Sequence, residues 1–153
     1  MQTVTVPMEE LAQILKLQLV EGGRAALNVT GSSMKPMLHG NRDAVFLVPE
    51  APKKGDVILY RRENGQYVLH RIVRIIDGES FICSGDNQWK PETVSVHQVM
   101  ATVSEFRRNG KRYNKNHKGY RFYVWLWVGI FPLRRPILAI RRLLGRLRRA
   151  LQK

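Results

Sequence analysis

Three observations predict a mainly β protein: an antiparallel sheet or partly closed barrel, with an N-terminal helix and a C-terminal basic amphipathic helix. The first 20 residues carry apolar side chains at helical spacing. The middle of the chain changes to short runs rich in Val, Ile, Phe and Tyr, separated by turn residues. The last third combines aromatic and aliphatic residues with a large excess of arginine.

Residues 7–21 read as the first helix. Pro7 suits a first helical position, Glu9 and Glu10 fall in the first turn, and Leu11, Ile14, Leu15 and Leu19 recur along one face. Gly22-Gly23 ends it. Six strands follow, over Ala25–Thr30, Ala44–Val48, Asp56–Arg61, Tyr67–Ile76, Ser80–Ser84 and Val99–Phe106. Glu63-Asn64-Gly65 and Asp77-Gly78 are placed as hairpin turns between two pairs of them. Asn109 to Gly119 is polar and basic with two glycines, and reads as a hinge.

The charge is divided along the chain. Residues 1–106 hold 11 Lys/Arg against 12 Asp/Glu, whereas the remaining 47 hold 15 Lys/Arg and no acid, so the net +14 belongs to the tail alone. That division predicts a nearly neutral body over 1–106 and a polycationic segment over 107–153 that seeks an anionic surface. Phe122 to Leu133 is uncharged and aromatic, too short to span a bilayer but suited to its interface. Beyond Arg134-Arg135-Pro136, the residues Ile137, Ile140, Leu144, Leu147 and Leu151 form an apolar stripe. Arg141, Arg142, Arg146, Arg148 and Arg149 occupy much of the remaining circumference. This is the pattern of a helix lying in an anionic headgroup layer, so residues 120–153 are expected to contact a membrane surface rather than nucleic acid. The first 20 residues resemble neither a signal sequence nor a span, which predicts a protein that is cytoplasmic or peripheral on the inner face of the cytoplasmic membrane.

Three short stretches supply the parts of acyl-transfer chemistry: Ser33 in Gly31-Ser-Ser-Met-Lys-Pro36, His70 in Leu69-His-Arg-Ile72, and Asp86 in Ser84-Gly-Asp-Asn87. A serine hydroxyl is a weak nucleophile until a base takes its proton, and a carboxylate that orients the base completes the set. His39, His97 and His117 lack the company that zinc ligation needs and are expected at the surface. Cys83 alternates with apolar neighbours and is expected to be a small buried hydrophobe. Lys53 and Lys54 follow Pro52 in a turn, where desolvation sufficient to make a lysine base is not expected.

These boxes resemble those of the signal peptidase I superfamily, serine peptidases that include the repressor-type self-cleaving proteins. Gly31-Ser-Ser-Met-Lys-Pro-Met-Leu38 is similar to the nucleophile box, and the resemblance puts the attacking residue at Ser33. Asn41-Arg-Asp-Ala-Val-Phe-Leu47 and Lys54-Gly-Asp-Val-Ile-Leu-Tyr60 resemble the two strand starts that follow. Leu69-His-Arg-Ile-Val73 resembles the base box in its histidine form, and Gly85-Asp-Asn87 the last box. The implied activity is that of a serine endopeptidase removing a leader or signal peptide from a precursor, with no metal or other cofactor. Ser32, Met34 and Pro36 are implied to line the substrate. Two departures are visible. Gly31 stands where the family commonly has an oxyanion serine, and Glu92 lies six residues after Asp86, where the histidine branch often has a second aspartate. Either Asp86 or Glu92 can therefore orient His70, and the intact motif favours Asp86. The alternatives are a self-cleaving repressor-type regulator with a nucleic-acid-binding tail and a catalytically impaired, membrane-associated binding protein. Against the first, about 24 residues precede the first strand, forming one helix and not a helix-turn-helix.

Overall fold

A computed structural model describes residues 8–151. Helix α1 (Met8–Val20) is followed by β1 (Ala25–Asn28), β2 (Ala44–Val48), β3 (Val57–Arg61), β4 (Tyr67–Ile75), β5 (Ser80–Ser84), β6 (Glu92–Ser95), β7 (Val99–Arg108) and β8 (Lys111–Asn114). Two helices, α2 (Lys118–Gly129) and α3 (Arg134–Ala150), end the chain. Pro7, expected to open α1, lies outside the described residues, as does the side chain of Leu11.

All strand pairs are antiparallel, in the order β1-β2-β7-β3-β4-β5-β6. The long strand β7 organises the sheet. Its first half pairs with β3, and its second half carries β2 on one side and β8 on the other. Register shifts at Phe46/Leu47, Leu59/Tyr60 and Ile72/Arg74 curl the sheet, as bulges do. One apolar cluster gathers Leu15 and Leu19 of α1 with Leu27, Met34, Leu38, Leu47, Leu59, Val103 and Phe106. A second, on the opposite face of β3, joins Ile58 and Tyr60 to Ile72, Phe81, Cys83 and Val94. Strand β3 is thus buried on both faces, which is why it reads as a continuous apolar run.

Three expectations change. The segment read as a hinge is mostly a hairpin: Asn109 (φ 50°) and Gly110 (φ 77°) form the two-residue turn that lets β8 pair with β7. Strand β6 pairs with β5 although no strand was expected there. The aromatic stretch is divided between α2 and a short 3-10 turn, Phe131–Leu133, and α2 packs on the body through one side: Tyr120 and Tyr123 join the first core cluster. Its other side is open, with Phe122 64 % and Trp125 70 % exposed. On α3 only Arg134 and Leu138 are buried, so Ile140, Leu143, Leu144 and Leu147 face outward beside the arginines. Among the described residues no single helix is long and apolar enough to cross a membrane, although α2 and Phe131–Ala150, bent by 63°, have that length and composition as a pair.

Candidate active site

Val29 leaves the end of β1 and the chain turns at Gly31, whose φ of +73° is a left-handed conformation that strains any residue with a Cβ. That geometry explains glycine where a serine was awaited by resemblance. The turn then holds Ser33 half-buried at the rim of a cleft of about 780 Å³. Leu27 to Thr30 and Ser33-Met34 line one side of the cleft, and Gln66 with Tyr67 to His70 of β4 line the other. Ser33 and His70 therefore share one cavity; among the described residues no hydrogen bond joins their side chains. Nucleophile–base contacts of this kind commonly tighten in the Michaelis complex.

His70 sits on β4 opposite Ile58 of β3, two residues from Tyr60. Its buried imidazole places Nδ1 3.1 Å from Glu92 Oε1 and 3.1 Å from the Tyr60 hydroxyl. Tyr60 donates its own hydroxyl proton to Glu92 Oε1, so its oxygen is free to accept. An Nδ1–H shared between Glu92 and Tyr60 satisfies all three groups and leaves Nε2 as the unprotonated nitrogen. Arg62 completes the clamp, donating from Nε to Glu92 Oε2 (2.8 Å) and from Nη2 to Oε1 (2.7 Å). Burial, with a contribution from Arg62, pulls the His70 pKa below 6.5 against the opposing pull of Glu92. Burial alone would raise Glu92, but the hydrogen bonds from Arg62 and Tyr60 hold its carboxyl below the usual range. At neutral pH the site thus holds a neutral imidazole backed by an ionised carboxylate.

Asp86, the favoured partner by motif, does not contact His70. Its carboxylate is fully buried against Arg71, which donates from Nε (2.8 Å) and Nη2 (2.7 Å), and it also accepts from Tyr123 Oη (3.0 Å). Alternation along β4 sends Arg71 to the face opposite His70, so the acid that pairs with it goes there too. Arg71 is held well above its ordinary pKa because its ion pair with Asp86 outweighs burial.

The Gly85-Asp86-Asn87 box still reaches the serine turn, through the backbone. Asn87 N–H donates to Ser33 O (2.7 Å), and Asn87 Nδ2 donates to Ser32 O (3.3 Å). A Cβ on Gly85 would lie 2.6 Å from Ser33 O, so only glycine allows this approach. At the far end of the loop, the buried carboxylate of Asp43 accepts from His39 N–H (2.8 Å), Arg42 and Asn109 N–H (3.3 Å). Although burial opposes it, these donors depress Asp43 to about 2.

The remaining sequence-derived residues separate. Ser32 is exposed; Met34 is 2 % exposed and belongs to the core while touching the cleft. Pro36 lines a different cavity, with Met37, Phe106, Tyr113, Tyr120 and Tyr123, and is not at the cleft of Ser33. Cys83 is buried and its thiol is pushed up to about 12, chiefly by burial. His97 and His117 are exposed, whereas His39 is half-buried in the serine loop. Among the described residues no group of three or more His, Cys, Asp or Glu side chains is placed to hold a metal ion. Sequence reasoning missed Tyr60 and Arg62. The signal available was their spacing: both lie on or beside β3, which the β3–β4 hairpin brings alongside the histidine.

A curled antiparallel sheet, a serine on a turn after its first strand and a carboxylate-backed histidine on a central strand define a serine-peptidase scaffold. The peptidase S24-like family model matches residues 6–104, and the chain belongs to that family. No curated protein and no solved structure matches it significantly. The matched region ends within β7, so β8, α2 and α3 lie beyond it.

Proposed function

We propose that the protein is a serine endopeptidase of the signal-peptidase-like, histidine-base type, acting on a leader or signal peptide of a precursor at an anionic membrane surface. The observation that carries the reading is that His70, backed by Glu92, lines the same cavity as Ser33. Ser33 Oγ attacks the scissile carbonyl while His70 Nε2 takes its proton. The tetrahedral oxyanion accepts from the Ser33 N–H, which has no acceptor among the described residues. Collapse expels the amine, which takes the proton from His70 and leaves an acyl group on Ser33. Water, deprotonated by His70, then releases the acid.

The cleft suits an extended peptide. Among the described residues strand β1 pairs with β2 alone, which leaves its other edge toward the cavity along Leu27 to Thr30, and the start of β4 faces it there. A peptide strand laid there gains main-chain hydrogen bonds, and the apolar lining selects its side chains. Membrane placement is supported by the outward apolar faces of α2 and α3 between rows of arginine. The test is digestion of a precursor-peptide panel, read by mass spectrometry, with wild-type protein and S33A. Cleavage lost in S33A supports the reading; cleavage unchanged in S33A ends it.

A further inference from the structure

The box that touches the serine turn is held from its other side by the C-terminal helices. Trp127 Nε1–H of α2 donates to Asp86 O (3.1 Å). Arg134 of α3 donates from Nη1 to Gly85 O (3.3 Å) and from Nη2 to Trp127 O (2.8 Å), which ties the two helices together at the point of contact. The Asp86 carbonyl and the Asn87 N–H belong to one peptide unit, which is planar and rigid. One end of that plate is held by Trp127; its other end holds the Ser33 carbonyl at 2.7 Å. A rotation of the plate breaks both bonds at once.

Packing alone does not explain Arg134. It is fully buried between the Trp127 and Phe131 rings, 5.0 and 4.9 Å from their centroids, and its hydrogen bonds go to carbonyls rather than to a carboxylate. Burying a guanidinium is expensive, and an apolar side chain of similar volume fills such space at lower cost. What arginine adds is a fork of donors that fixes two carbonyls relative to each other.

We propose that Trp127 and Arg134 are positioning residues for Ser33: through the Asp86–Asn87 peptide plane, the C-terminal helices set the backbone of the nucleophile turn. The proposal rests on Ser33 being the nucleophile, and it gives residues outside the family match a part in the chemistry. It makes the tail a brace of the site in addition to a surface-binding element.

The test uses the full-length chain. W127F keeps an aromatic ring against Tyr123 and Arg134 but removes the Nε1–H together with part of the indole, so the pattern of exchange, local or sheet-wide, separates the lost hydrogen bond from lost packing. The expected result is amide hydrogen exchange at Asn87 faster by about 5- to 10-fold, with exchange in β3 and β7 unchanged. On a soluble peptide substrate, kcat falls by a similar factor while KM and the acid-limb pKa hold, because Glu92 is untouched. R134M behaves likewise, and R134K, which keeps a charged donor, lies between it and wild type. Wild-type exchange at Asn87 together with wild-type kcat in W127F overturns the proposal, as does a uniform rise in exchange across the whole sheet. If the wild-type protein cleaves nothing, the peptidase reading fails, and Asn87 exchange still decides whether the brace exists.

Discussion

Glu92 and His70 meet at 3.1 Å across the second core cluster, while Asp86, six residues before Glu92, is turned to the opposite face of β4 and bound to Arg71. The two carboxylates therefore have separable functions. E92Q is expected to leave the fold intact and to lower kcat/KM by roughly 1,000-fold or more, as when the acid that fixes a catalytic imidazole tautomer is removed. D86N is expected to act on stability instead, costing about 3–5 kcal/mol because a buried arginine loses its partner. Thermal melts and peptide kinetics on both variants separate the two effects.

Activity should fall on the acid side. Burial lowers the His70 pKa below 6.5, so the imidazole is neutral and active at pH 7 and becomes protonated, hence inactive, as pH drops through that lowered value. The charge of Glu92 raises the His70 pKa, so its removal in E92Q moves the acid limb further down while the plateau falls. A pH profile of kcat/KM for wild type and E92Q checks the sign.

Gly85 is expected to resist even the smallest side chain. The Cβ of G85A would stand 2.6 Å from Ser33 O, and the turn must shift to admit it. Overpacking of this kind costs about 1–3 kcal/mol, and displacement of the nucleophile by an ångström lowers the rate by about 100-fold. Melting temperature and kcat measured together report the two losses.

Asp43 ties the serine loop to the β7–β8 turn, and its contribution should depend on pH. Its folded-state pKa of about 2 lies below the ordinary 3.8, so its stabilisation is present above pH 3.8 and is lost as pH falls through 2. D43N is expected to be less stable than wild type by about 2 kcal/mol at pH 7 and equal to it at pH 1.5. Denaturant titrations at the two pH values make the comparison.

Surface binding should follow the outward arginines of α3. Arg141, Arg146 and Arg148 are exposed and make no hydrogen bond to the body among the described residues, so their replacement by glutamine leaves the brace alone. Each loss is expected to weaken flotation with anionic vesicles by about fivefold, and raised salt should weaken wild-type binding in the same direction. Binding that is indifferent to all three replacements and to salt contradicts the membrane reading.

Much of the fold was legible because its pattern is local. The runs read over Asp56–Arg61, Tyr67–Ile76 and Ser80–Ser84, with the Asp77-Gly78 turn between the last two, match β3, β4 and β5 to within a residue at each end. Strand β8 was not legible in this way: Lys111-Arg112-Tyr113-Asn114 has no apolar alternation, and only the Asn109-Gly110 dipeptide announces its hairpin. At the site, Ser33 and His70 were marked by their boxes, but the partner of His70 was decided by strand faces and register. The intact Gly85-Asp86-Asn87 motif favoured Asp86; its fully buried ion pair with Arg71 removes it. Tyr60 closed a family-like box that assigned it no role and Arg62 carried no motif, since their role comes from the hairpin that sets β3 beside β4.

The most direct measurement is the rate at which an organophosphorus serine reagent labels the protein, followed against pH and mapped by mass spectrometry in wild type and H70A. The account predicts a single adduct on Ser33, a rate that rises through one inflection below pH 6.5, and loss of that labelling in H70A. An adduct on another serine, or Ser33 labelling that proceeds unchanged without the imidazole, contradicts it.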